Sequence, residues 1–251
     1  MFKHNIPMHI LERAGERRSD RKGFGLYSPE TERRSFKAEV VSSPVLETLM
    51  SSWSTFYASG IGPVHSIGGL YRARWDSLCR DLGGVDYSPA EVEKVSVLLA
   101  GFQGNGKFPA SAGAFLSALV NSGKDGEFTL HIAYPVAGLC FGCRKTVHIK
   151  GNAGDEFGYK LRKGACVTVE GMAGDKLGAN MTGGTITIDG DAGAKAGFSM
   201  KNGLVLIKGD AGEFVGFDMR GGTIILEGDA SSISRTMLGG KICQKGVLIA
   251  E

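Results

Sequence analysis

Cys140-Phe141-Gly142-Cys143 is the pair best placed to do chemistry in this 251-residue chain. A C-x-x-C pair can chelate zinc, help hold an iron–sulfur cluster or cycle through a disulfide. A structural zinc site takes four ligands, and no second such pair occurs. Cys79, His131 and His148 would complete one only if the fold gathered them. The pair also reads as two structural thiols in a capping turn.

Three other patterns approach a site and fall short. Residues Gly101 to Phe108 nearly spell a phosphate-binding loop, but Phe108 stands where a magnesium-binding Ser or Thr belongs, and Pro109 follows. The preceding segment reads as a capped helix, so the stretch is a helix-to-helix turn. Ser199, in Gly197-Phe198-Ser199-Met200-Lys201, lacks the closing glycine of a nucleophile elbow. The histidines His4, His9, His65, His131 and His148 form no H-E-x-x-H pattern. No catalytic residue is nominated.

The elements that carry these residues fall into two textures that meet near Glu127. The first half predicts an arm over residues 1–43 and four helices. In the arm, Arg13, Arg17, Arg18 and Arg21 alternate with Glu12, Glu16 and Asp20, leaving few apolar groups to order it. It reads either as a solvated segment or as a strap that docks on a partner. The first helix starts at Ser43-Pro44 and carries Leu46, Leu49, Trp53 and Phe56 at helical spacing until Gly60. A second spans about 66–82 with Leu70, Trp75, Leu78 and Cys79 inward. The third opens on the capping box Ser88-Pro89-Ala90-Glu91 and faces inward through Val92, Val95, Leu99 and Phe102. The fourth runs from about Pro109 to Val120. Residues 44–126 are thus expected to form a small helical domain.

The second half is a repeat of nineteen to twenty residues beginning at Gly151, Gly171, Gly190 and Gly209. A unit this short cannot bury its own apolar side, so the copies must stack. One column reads Val167, Ile186, Val205, Ile224, and two residues on another reads Val169, Ile188, Ile207, Leu226. That period of two predicts parallel strands sharing one core. Glycines mark the corners: Gly154, Gly174, Gly193 and Gly212 in one column, Gly158, Gly178, Gly197 and Gly216 in another. Such positions suit positive φ or close coil-to-coil approach, and Asn202, in a third glycine column, is the non-glycine residue expected to tolerate the left-handed region. Met181, Met200, Met219 and Met237 form a soft corner filling. Asp191, Asp210 and Asp229 align in a column read as turn-stabilising acceptors rather than a calcium site. Residues 137–142 resemble the AGDEFG corner, and both ends read as caps. On the outward side stand His148, Thr168, Thr187, Leu206 and Ile225, with Leu204 nearby. This aliphatic patch is covered either by the helical domain or by another subunit. The fold expected is α+β: a small helical domain, then a right-handed parallel β-helix over 127–251.

A net charge of +3 with 22% charged residues is not the basic footprint of a nucleic-acid binder. Nor does any apolar run reach the ~20 residues of a membrane span, and no secretory signal is visible, so the cytoplasm is the compartment expected. Five scattered cysteines fit reduced thiols.

The units, built as G-x-A-G-x-x-x-G-x-x-M-x-G-G-T-I-x-I, resemble the β-helical subunit of formylmethanofuran dehydrogenase. More loosely, they resemble the C-terminal β-helical domain of the glutamate synthase large chain. The resemblance covers about residues 135–245 and is closer to the former in period. It implies a non-catalytic structural subunit of a multi-subunit enzyme, in which other subunits carry the pterin metal, iron–sulfur clusters or flavin and this chain carries no cofactor. A glutamate-synthase-like subunit of an amidotransferase or oxidoreductase complex is the alternative. A metal- or redox-active protein using Cys140 and Cys143 stays open beside both.

Overall fold

Alternation of apolar side chains with a period of two places strands at Glu127–Ile132 (β1), Thr146–Gly151 (β2), Cys166–Val169 (β3), Thr182–Ile188 (β4), Asn202–Ile207 (β5), Arg220–Leu226 (β6), Gly239–Gln244 (β7) and Val247–Ala250 (β8). A computed structural model of the chain describes residues 43–59, 69–103, 106–134 and 136–251. The arm up to residue 42, His4, His9, His65, Ser66, the side chain of Leu70, and Gly104 and Asn105 of the loop before Phe108 lie outside the described residues.

The strands pair in chain order, β1 to β7 all parallel, each one coil after the last. The register is the one the sequence columns require: Val167 stands opposite Ile186, Ile186 opposite Val205, and Val205 opposite Ile224. All four are fully buried. The result is a β-solenoid of about six turns at about nineteen residues per turn. A second column of bridges, Ala173, Ala192, Ala211 and Ala230, closes the opposite corner.

The stack opens upstream of the first full copy of the repeat. Glu127 pairs with Thr146 and Leu130 with Ile149, so β1 opens a full coil, with Phe128 and Leu130 buried in the common core. At the other end β8 folds back antiparallel on β7 through Lys245 and Gly246, both at positive φ, and ends the parallel series. Val247, Leu248 and Ile249 of this edge strand are exposed.

The helices are Pro44–Ala58 (α1), Gly69–Gly83 (α2), Pro89–Leu98 (α3, continued by a 3-10 turn to Phe102) and Phe108–Ser122 (α4). Ser43 Oγ accepts from Leu46 N at 3.1 Å, and Ser88 N donates to Glu91 Oε2 at 2.8 Å, so both sequence-read caps form. Phe102, expected to be inward, is partly exposed but keeps an edge-on contact with Trp53 at 5.7 Å. α4 is small and mostly apolar all round because it is buried all round: Phe108 and every residue from Ala110 to Val120 are buried, Ser111 and Ser117 among them. One face meets Trp53 and Phe56 of α1, the other the first coil. The described residues accordingly form one compact unit, and a single apolar core runs from Leu46 to Ile242. The helices serve as the end cap that a stack of identical coils needs.

Candidate functional site

Backbone hydrogen bonds between coils define which residues are equivalent. Arg162 N donates to Cys143 O (3.0 Å), Thr182 N to Leu161 O (2.8 Å), Lys201 N to Met181 O (2.9 Å) and Arg220 N to Met200 O (2.7 Å). Cys143, Leu161, Met181, Met200 and Met219 are therefore one column, and all are buried. Three residues earlier stand Cys140, Gly158, Gly178, Gly197 and Gly216, each in the left-handed region at φ 62°, 68°, 65°, 73° and 76°. The C-x-x-C spacing is thus the spacing of two structural columns, with cysteine standing once for glycine and once for methionine.

This register corrects the alignment of residues 137–142 with the later corner. Gly138 N donates to Asp155 O as Glu156 N donates to Asp175 O, so Gly138 matches Glu156 and not Gly154. The offset is two residues.

How Cys140 fits a glycine column follows from the strand residue facing each corner. A Cβ on Gly158 would lie 2.6 Å from Ile186 Cδ1, and one on Gly216 2.7 Å from Ile242 Cδ1. On Gly178, facing Val205, the nearest approach relaxes to 3.2 Å. The counterpart for Cys140 in that strand column is Val167, which lacks the Cδ1 methyl. Room for the cysteine comes from that missing carbon.

Among the described residues, Cys140 and Cys143 are not joined by the further ligands that a zinc or iron–sulfur site takes. Among the described residues no three His, Cys, Asp or Glu side chains lie together in a geometry able to hold a metal. Burial pushes the Cys140 thiol well above its usual range, with Cys143 adding to the effect, and pushes Cys143 up against the backbone donors of Lys145 and Arg144. The other proposed ligands have structural partners: His131 Nε2 lies 2.7 Å from Glu93 Oε1 and its backbone N donates to Ser96 Oγ, pinning α3 to β1. His148 lies between Thr168 Oγ1 (2.8 Å) and Glu127 Oε1 (3.0 Å), bridging the coils on either side. Burial also raises the Cys79 thiol. A thiol reagent at neutral pH is expected to modify exposed Cys166 in the native protein and to reach Cys140 and Cys143 only on unfolding, with no change on adding a chelator. Stoichiometric zinc or iron in the purified protein, or rapid labelling of either buried thiol, would overturn the structural assignment.

The glycine columns divide the two roles allowed for them. Gly158, Gly178, Gly197 and Gly216 supply positive φ. Gly154, Gly174, Gly193 and Gly212 do not; there any Cβ would run into the backbone of the coil below. In the third column Gly203 (φ 107°) takes the left-handed position, while Asn202 does not; its Oδ1 accepts from Gly203 N at 2.8 Å. Ten other non-glycine residues do adopt positive φ, among them Glu156, Lys176, Lys195 and Phe214 in one column. The methionine ladder holds: Met181 Cε occupies the space beside Gly203, Met200 that beside Gly222 and Met219 that beside Gly240.

The aspartates act as turn acceptors. Asp191 Oδ1 accepts from Asp210 N and Asp210 Oδ1 from Asp229 N, each at 2.8 Å, and Asp229 closes the series on Lys245 Nζ (2.7 Å) and Gln244 Nε2 (2.8 Å). Lys245, with Gln244 assisting, holds the Asp229 carboxyl below its usual range.

Leu204, Leu206 and Ile225 lie half-exposed on the outer face of β5 and β6, not covered by the described helices, which pack on the first coil. Two outward columns escape a reading directed at inward residues. Tyr159, Phe198 and Phe217 are half-exposed and stack in pairs: Phe198 on Phe217 at 5.7 Å and 13°, Tyr159 on Phe141 at 5.8 Å and 12°. Three residues after each aromatic comes a cation: Arg144, Arg162, Lys201 and Arg220, all exposed. Their signal was the three-residue offset from Phe141, Tyr159, Phe198 and Phe217.

Among the described residues no helix is long and apolar enough to cross a membrane. No curated protein and no solved structure matches the chain. A family model described as the GXGXG motif matches residues 141–247, from the corner of the first coil to the start of β8.

Proposed function

We propose that this chain is a non-catalytic docking subunit of a multi-subunit enzyme, most similar in role to the glycine-rich solenoid of glutamate-synthase-type or formylmethanofuran-dehydrogenase-type assemblies. The observation that carries the reading is the aliphatic column of Leu204, Leu206 and Ile225, half-exposed on a rigid sheet face whose inner side is fully packed. A sheet face of this kind gains by exclusion of water under a partner. The match of residues 141–247 to the GXGXG motif supports the glutamate-synthase-like form of the reading. Cofactors, on this reading, belong to partner subunits, and the conspicuous cysteines, glycines and methionines serve the stack.

Replacing Leu206 and Ile225 together by aspartate tests it. Both side chains point away from the core, so the fold should tolerate the change, while charge in the centre of an apolar contact costs several-fold to hundred-fold in affinity, about 1–3 kcal/mol. Tagged protein purified from its native cells is expected to lose its stoichiometric companions on L206D/I225D; because the two aspartates are register partners and lower the unfolding midpoint, L206D alone is the variant expected to lose companions while staying folded. Companions retained undiminished would remove this face from the account.

A further inference from the structure

The cationic column at the strand entrance has no internal counterpart. Arg144, Arg162, Lys201 and Arg220 stand at equivalent positions of coils one, two, four and five, with Thr182 in coil three. At about 4.8 Å per coil the column runs about 19 Å along the solenoid. Lys160 and Lys163 flank it, both exposed. None of these six side chains forms an ion pair among the described residues; the pairs that do occur use other lysines, such as Lys208 with Asp189 and Lys245 with Asp229. Asp218 is the one carboxylate in the column that contains Lys160. The aspartate column is also like-charged, but each carboxylate there is answered by a backbone N–H of the next coil. The cations have no such answer.

The neighbouring aromatic column says which anion suits the site. Single-stranded nucleic acid would need open ring faces for its bases beside the cations. Here the rings face one another in pairs, Lys195 Nζ lies over Phe217 at 5.4 Å, and Lys160 Nζ lies over Tyr159 at 5.3 Å. At the level where the third coil would add a ring stands Ala179, fully buried. The stripe therefore offers charge and a smooth half-apolar flank, without slots for bases. An extended peptide advances about 3.3 Å per residue, so about six residues would span the column.

We propose that this ladder docks an extended acidic segment of a partner protein, laid along the solenoid axis. The proposal stands on different residues from the aliphatic face and does not depend on it.

The test uses the full chain, a labelled Glu-rich peptide, and a labelled oligothymidylate of equal charge. Anisotropy titrations would compare wild type, R162E/K201E/R220E, and a control of equal charge change, K94E/K150E/K208E, on exposed sites away from the strand ends that carry the ladder. The peptide is expected to bind wild type, to lose at least about ten-fold in affinity in the ladder variant and less than about two-fold in the control, with binding weakened by salt. Should the reversal variant misfold, R162Q/K201Q/R220Q carries the comparison, with an expected loss of at least about three-fold. Absence of peptide binding, equal losses in ladder and control, or tighter binding of the oligothymidylate through the same residues would each overturn the proposal.

Discussion

Replacing Gly113 by valine is expected to lower stability by at least about 3 kcal/mol and to open the helical cap, because overpacking here meets main chain rather than a side chain that can turn away. A Cβ on Gly113 would overlap the carbonyl oxygen of Ala137, and the carbonyl carbon lies within 2.9 Å. The contact is part of a seam. Ser117 Oγ donates to Gly113 O at 2.6 Å and accepts from Phe141 N at 3.3 Å, Asn121 Nδ2 donates to Phe141 O at 3.0 Å, and Ala137 N donates to Pro109 O at 3.0 Å. Forcing α4 away breaks these bonds and uncovers the apolar end of the first coil, including Phe128, Leu130 and Leu139. Hydrogen exchange should speed up over α4 and β1 together. Gly126→Ala is the control, since nothing lies within 4 Å of a Cβ there, and it should stay within about 0.5 kcal/mol of wild type. Equal behaviour of the two variants would contradict the cap.

The second large effect belongs to the inward glycine column. Gly197 combines φ 73° with a facing Ile224 whose Cδ1 would overlap any Cβ. The left-handed conformation costs a non-glycine residue about 1–2 kcal/mol and overpacking about 1–3 kcal/mol, so Gly197→Ala should cost about 2–5 kcal/mol and Gly197→Val more. Gly178→Ala, facing Val205 at 3.2 Å, should show the conformational cost of about 1–2 kcal/mol and little else. Adding Ile224→Val to Gly197→Ala removes the blocking methyl, so the double variant should lose less than the sum of the single ones by about 1 kcal/mol or more. Equilibrium denaturation of the five variants, Ile224→Val alone included, checks this. Strict additivity would mean that the facing methyl is not what excludes a side chain, and the explanation of Cys140 beside Val167 would fall with it.

How far the sequence could be read depended on whether a column announced itself by residue type. The strand columns did, since β-branched and aliphatic residues recur at Val167, Ile186, Val205 and Ile224, and they pair as aligned. The helix starts at Ser43 and Ser88 were equally plain because each cap has its acceptor in the chain. The first coil was hidden because its corner spells the rule differently: cysteine takes the glycine position at 140, while Gly138 and Gly142 fall where later coils carry Glu156 and Lys160. Reading glycine against glycine displaced it by two residues. Left-handed Lys176, Lys195 and Phe214 gave no composition signal, since only the inter-coil hydrogen bonds impose that backbone on them. The shared core was hidden too. A small, mostly apolar α4 reads as a buried helix, but the sequence does not say that its second face is the end of the solenoid.

The candidate chemistry followed the same division. Type and spacing made Cys140 and Cys143 the strongest candidates, and both prove to be rungs of columns in which later coils carry glycine, leucine or methionine. The outward aliphatic column was legible as a patch, while the cationic and aromatic columns were not, because each is interrupted in the third coil by Thr182 and Ala179.

The most direct test of the docking role is the size and composition of the assembly that holds this chain in its native cells, measured by native separation with quantitative mass spectrometry. The expected result is a particle several times the 26.5 kDa of the chain, with one or more cofactor-bearing enzyme subunits in fixed ratio to it. A free monomer of that mass with no stoichiometric companion would contradict it.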